Sequence, residues 1–175
     1  GLAPRVAARD LWQHSIATAT SAKLLADELN IGIPDEAFLA GLIHDIGLMV
    51  EMQVDRDKLV EVINGIEADA EGNPTKDMME IEAKVFGADH QQFGKALCEK
   101  WKFPSVFAHV TGYHHNPLDV SESGRTMACL IYVADRVAGA MEDGYRMDLT
   151  ELSFDADVLD ELKIDEDKIE RVMNK

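Results

Sequence analysis

The sequence predicts an all-α protein, a bundle of helices, and three observations predict it. Apolar residues recur at helical spacing through most of the chain. Where that spacing breaks, the breaks carry helix stop and start residues: Gly, Pro or Asn-Pro at exits, Asp at entrances. No segment combines two-residue alternation with the β-branched enrichment of a strand.

Residues 5–30 carry the first helical pattern, with Asp10, His14, Ala17, Leu24, Leu25 and Leu29 on one broad face at about 100° per residue. Gly32 and Pro34 break it. Residues 35–46 read as a second helix with Gly47 as its C-cap. A third covers 55–70 and stops at the turn Glu71-Gly72-Asn73-Pro74. A fourth covers 75–86 and is closed by Gly87. Asp89 is placed to N-cap a fifth over 90–100. Phe103-Pro104 opens a short sixth that ends near Tyr113, and 115–124 is a loop with Asn116-Pro117 as its turn signal. Residues 125–141 form a seventh. The acidic remainder, 148–175, holds two short helical patterns around 158–162 and 169–172.

At 175 residues the chain is long enough for one domain, and 46% hydrophobic residues supply a sizeable core. We divide it into a main body, 1–145, and an acidic helical extension, 146–175, packed on the same body. No apolar run reaches the roughly 18 residues that span a bilayer. The start, GLAPRVAARDLWQHS, lacks the apolar stretch of a signal peptide. Cys98 and Cys129 stand apart with no CxxC pattern, which fits two free buried thiols in a reducing cytoplasm. The net charge of −16 argues against nucleic acid and anionic membranes as partners. A phosphorylated substrate would also approach against that field unless bound cations reversed it locally.

Against this background, seven polar residues fall where a buried metal site would need them: His14, His44, Asp45, His90, His114, His115 and Asp135. Neutral imidazoles and carboxylates are ligands of borderline to hard divalent metals. Each residue has an ordinary reading. Asp10 and His14, four apart on one helix face, fit a surface or capping pair. His90 fits a first-turn histidine, and His114-His115 fit polar loop residues. His44-Asp45 and Asp135 are harder to place, because GLIHDIG and MACLIYVADRVAGA are apolar runs. Burying their charges without partners costs several kcal/mol. Arg136 is the ordinary partner for Asp135, although adjacent helix positions do not face each other. Taken all together, the ordinary readings crowd one core with unpaired polar groups. His109 lies outside the pattern and reads as a helix histidine.

The order H…HD…H…HH…D on helices resembles the HD superfamily of metal-dependent phosphohydrolases, and more specifically its HDOD (HD-related output domain) branch. The resemblance is carried by LWQHS (11–15), AFLAGLIHDIG (37–47), FGADHQQFG (86–94), WKFP (101–104), GYHHNP (112–117) and VADR (133–136). It implies an HD-domain-like helical bundle and a cytoplasmic signal-transduction module. Many HDOD members are signalling output modules with eroded metal sites, whereas this chain keeps the ligand types. Its pattern is similar to that of the HD-GYP phosphodiesterases, which implies His14, His44, Asp45, His90, His114, His115 and Asp135 as metal ligands. Asp10 stands where some of those enzymes have a glutamate. The lysine of their HDxGK motif is Leu48 here, and HHNPLDVSESGR replaces their GYP loop. Both departures argue against cyclic di-GMP as the substrate.

Two functions follow from the resemblance. In the first, one or two divalent transition ions (Fe, Mn, Zn or Ni) support hydrolysis of a nucleotide or related phosphoester. His44 and Asp45 hold one ion with His14 or Asp135, while His90, His114 and His115 hold the second. Asp45 bridges the two, and Asp10 orients the attacking water. In the second, the chain is a non-catalytic signalling or scaffold module with a structural or vestigial metal, binding a protein partner or a neighbouring regulatory lobe. A helical fragment with no metal is a third reading.

Overall fold

The computed structural model of the chain describes residues 8–70, 72–141 and 147–173. Ten α-helices are found among them, with one 3-10 turn at Pro117–Asp119, and only an isolated bridge between Ala68 and Pro74 in place of any strand. The helices are α1 (Ala8–Glu28), α2 (Pro34–Ile43), α3 (Ile46–Val54), α4 (Arg56–Gly65) and α5 (Met78–Phe86). They continue as α6 (His90–Lys100), α7 (Ser105–Tyr113), α8 (Glu122–Gly139), α9 (Ala156–Leu162) and α10 (Glu166–Met173). The fold is an all-α bundle, as the periodicity predicts.

Several boundaries follow the expected chemistry. Asp55, Asp77 and Asp89 each accept backbone N–H groups at the starts of α4, α5 and α6, and Asp89 forms a capping box with Gln92. Gly87 closes α5 at a φ of 85°, a left-handed conformation that costs glycine little. Others differ. The second helix does not run to Ile46. It stops at Ile43, the chain turns at His44-Asp45, and α3 begins at Ile46. Gly47 is therefore no C-cap; it lies inside α3, where an added Cβ would collide with the backbone of His90. The third helix ends at Gly65, before the Ala68–Pro74 bridge, rather than at Ala70. The last long helix starts at Glu122, three residues early, so the expected loop is shorter and includes the 3-10 turn. The helix start at Arg5, the turn residue Glu71 and the division at 145 lie outside the described residues.

The centre of the bundle is α8. From Met127 to Gly139 every residue except Arg136 is buried, as expected of a helix enclosed on all sides. It packs on α1, α2, α7 and α9. Val158, Leu162, Ile164, Ile169 and Val172 of the C-terminal segment join Leu25, Leu130, Ile131 and Val133 in the same core. A second, smaller core gathers Leu48, Leu59, Val62, Ile63, Ile66 and Met78 around α3, α4 and α5. The Pro34–Val54 stretch has the length and mean hydropathy of a membrane span, although polar residues interrupt its apolar run. It is broken at His44-Asp45, and α2 and α3 bury Ala37, Ala40, Gly41, Gly47, Leu48 and the charged Glu51 inside the bundle. Cys98 and Cys129 are both free and buried.

Candidate metal centre

Local hydrogen bonds hold four of the histidines in place. The ring of His44, at the end of α2, lies with Nδ1 2.7 Å from the Gly41 carbonyl oxygen, so Nδ1–H donates there and Nε2 faces the centre. His114, just past α7, has Nδ1 3.2 Å from the Val110 carbonyl oxygen in the same arrangement. His90 opens α6, and both its backbone N–H and its Nδ1 meet Oε2 of Glu82, at 2.9 and 2.8 Å. A carboxylate behind a histidine fixes its ring and raises its basicity as a ligand. The backbone N–H of His115 donates to Gln91 Oε1 at 3.1 Å.

Asp45 occupies the N-cap position of α3 but caps nothing. An aspartate there ordinarily accepts an N–H of the first turn. Instead its two oxygens face different groups of side chains. Oδ2 lies 3.2 Å from His44 Nε2 and 3.9 Å from His14 Nε2. Oδ1 lies 3.2 Å from His114 Nε2 and 3.9 Å from His90 Nε2. On the first side, Asp135 from α8 places Oδ1 3.0 Å from His14 Nε2 and 3.7 Å from His44 Nε2, and the two imidazole Nε2 atoms are 3.3 Å apart. On the second, His90 and His115 bring their Nε2 atoms to 3.1 Å, and Asp148 Oδ2 is 3.4 Å from His115 Nε2.

Two donor groups result. His14, His44 and Asp45 place their ligand atoms within 4.8 Å of one another, and His90, His114, His115 and Asp148 do the same. Apart from the imidazole–carboxylate contacts just given, both oxygens of Asp45, Asp135 and Asp148, and Nε2 of His114, are buried without a hydrogen-bond partner among the described residues. Orphaned polar atoms are rare in native interiors, and buried carboxylates are paired or coordinate metals. Their concentration around facing Nε2 atoms is what a divalent ion requires, so the residues present fit the group that the sequence implies.

The electrostatics have the same cause. Burial opposes charge on His44, but Asp45 and Asp135 outweigh it and hold the imidazole well above its ordinary value. Burial likewise opposes charge on His90, yet Glu82 carries it up to about 10. His114 is pushed down to about 4 by burial and by His115. Burial would raise Asp45 and Asp135, but the histidines around each hold both well below the carboxylate range. In the metal-free chain, protons on imidazoles balance the buried carboxylates. Cations bound there would displace those protons.

The seven candidate ligands converge on this centre. Asp10 is half-buried one turn before His14, and neither donor group includes it. Arg136 turns away from Asp135, stacking 3.4 Å from the Tyr132 ring centroid and donating to the Ser153 carbonyl oxygen. His109 stands apart, half-buried beside Gly124. The sequence reasoning missed Glu82, Glu51 and Asp148. The first two carried a signal, since each is an acid at a core position of an apolar helix face. Asp148 carried none, because it follows α8 outside any periodic segment.

The fold recurs in solved structures. The MmoQ response regulator from Methylococcus capsulatus str. Bath matches with a TM-score of 0.69 at 19% identity, over 100% of this chain and 64% of that one. A protein from Marinobacter aquaeolei VT8, provisionally named for signal transduction, matches with a TM-score of 0.78 at 27% identity, over 94% of this chain and 35% of that one. A protein from Shewanella amazonensis SB2B, provisionally named a phosphohydrolase, matches with a TM-score of 0.71 at 21% identity, over 97% and 60%. This chain thus spans less than two thirds of the length of each. No curated protein matches it. The HDOD domain pattern matches residues 3–117, most of the chain, and the chain belongs to the HDOD domain family.

Proposed function

We propose that this chain is a signal-transduction domain of the HDOD type whose centre binds two divalent transition ions and hydrolyses a phosphoester of a nucleotide or related small molecule. The observation that carries the reading is Asp45: its two oxygens face two separate donor groups, Oδ2 3.2 Å from His44 Nε2 and Oδ1 3.2 Å from His114 Nε2. Ions bound there supply positive charge against phosphoryl oxygens and acidify an attacking water. The chain's own residues do the rest. Gly41, Glu82 and Val110 hold three imidazoles with Nε2 facing inward. Asp45 joins the two groups, and Asp10, one turn before His14, is assigned to orient the water. The imidazole-rich set favours Fe, Mn, Zn or Ni over calcium. The charge of −16 keeps nucleic acid and membranes outside the partners of this reading, and the two free thiols suit the cytoplasm.

A specific observation favours the scaffold alternative. Leu48, where the phosphodiesterases carry lysine, is 2% exposed and belongs to the α3–α5 core, so no cation is offered to a phosphate from that position. In that case the metal is structural, and the surface serves a protein partner or a neighbouring regulatory lobe. A phosphoester panel decides. The chain loaded with manganese or iron is expected to turn over at least one nucleotide phosphoester, and Asp45→Asn is expected to fall to background. A metal-loaded chain inert across the panel would leave only the scaffold.

A further inference from the structure

We infer that Asp148 is a protein ligand of the second cation and that it fastens the acidic C-terminal segment to the metal centre. This rests on the metal-binding reading above and extends it by one donor and one structural consequence. Asp148 lies beyond α8, in a stretch that contributes none of the motifs. Its side chain is fully enclosed, and neither oxygen has a hydrogen-bond partner among the described residues. Its ligand atom lies within 4.8 Å of those of His90, His114 and His115. Three imidazoles and one carboxylate make a four-donor set for a borderline divalent ion.

The simpler account is an ion pair between Asp148 and a protonated His115 at 3.4 Å. It satisfies His115 and leaves the rest unexplained. His114, whose Nδ1–H is used on the Val110 carbonyl, would turn an Nε2 lone pair toward Asp45 Oδ1 at 3.2 Å, and the second Asp148 oxygen would stay orphaned. One cation among the four donors would account for His90, His114, His115 and Asp148 together.

The consequence concerns the segment that follows. Leu149 is 2% exposed, and Val158, Leu162, Ile164, Ile169 and Val172 carry the remaining residues onto the α8 core. With Asp148 as a ligand, this packing and the second cation stabilise each other, because whatever binds only the docked form favours it. As a ligand, Asp148 would leave one position fewer for solvent or a substrate oxygen, and the C-terminal segment would limit access to the second ion.

The test uses the full chain, Asp148→Asn, and Asp148→Glu, which keeps the carboxylate. Zinc stoichiometry is read after equilibrium dialysis, affinity by chelator competition, and hydrogen exchange over 148–173 with and without zinc. The wild type is expected to hold a second ion that Asp148→Asn binds at least tenfold more weakly, with Asp148→Glu recovering part of the loss. Zinc is expected to slow exchange over 148–173 in the wild type and far less in Asp148→Asn. Wild-type stoichiometry and affinity in Asp148→Asn would overturn the inference and leave Asp148 as the partner of His115, with the metal centre intact. A wild type that binds no zinc would overturn both readings at once. Should Asp148→Asn fail to fold, wild-type exchange decides: slowing over 148–173 supports the assignment, and no change refutes it.

Discussion

Glu51 is the only charged residue of α3, and it is fully buried. Neither oxygen has a hydrogen-bond partner among the described residues. Burial and the neighbouring Glu82 push its carboxyl up to about 8. In the unfolded chain it ionises near 4.5. The unfolded state therefore releases this proton first, and folded stability falls as pH rises from about 4.5 to about 8. In chelator-treated protein, Glu51→Gln should raise Tm by roughly 5 °C at pH 9 and leave it unchanged at pH 4. An equal shift at both pH values, read by thermal melts, would contradict the assignment. At this scale the sequence revealed those polar residues that interrupt an apolar pattern, such as His44, Asp45 and Asp135. By the same logic Glu51 and Glu82 were readable. What no pattern carried was proximity: that Glu82 reaches His90 across a helix boundary, or that Asp148 returns to His115.

At the scale of elements, the junction of α2 and α3 sets the centre. The run AFLAGLIHDIGLMV contains neither proline nor a turn dipeptide, so sequence alone joined its first part into one helix and ended it at Gly47. The chain instead leaves the helix at Asp45, with φ −94° and ψ 19°, and starts again. Gly47 then serves the approach of α3 to α6, where the backbone of His90 leaves no room for a Cβ. Gly94 supports the same contact from α6, facing Gly47 N and Thr111. Gly47→Ala should cost about 3 kcal/mol or more and displace His90 from its partners. A variant with wild-type Tm and metal content would show that the two helices separate without cost. The Asp89 and Gly87 caps were legible because their chemistry is local, each acting within one turn of chain, whereas Asp77 caps a helix that the sequence placed from Thr75. The break at His44-Asp45 was not, because it is imposed by packing and by the site.

At the scale of the molecule, two apolar cores flank a polar interior. His14, His44, Asp45, His90, His114, Asp135 and Asp148 are each no more than 7% exposed, in a chain of net charge −16. A bundle that buries so many carboxylates and imidazoles together needs compensating charge at its centre, and the divalent ions proposed above would supply it. The all-α class and the HDOD family were legible from helical periodicity and the spaced motifs, since both are written in local sequence along the chain. The division of donors into two groups around Asp45 was implied only by resemblance, because it depends on which oxygen faces which ring.

The central claim is that this interior is a two-cation site joined by Asp45. Elemental analysis by ICP-MS of protein purified without chelator, beside the His44→Ala/Asp45→Ala double variant, tests it most directly. The account predicts about two transition-metal ions per chain, lost in the double variant. A chain that holds no metal, even after anaerobic reconstitution with iron or manganese, would contradict it.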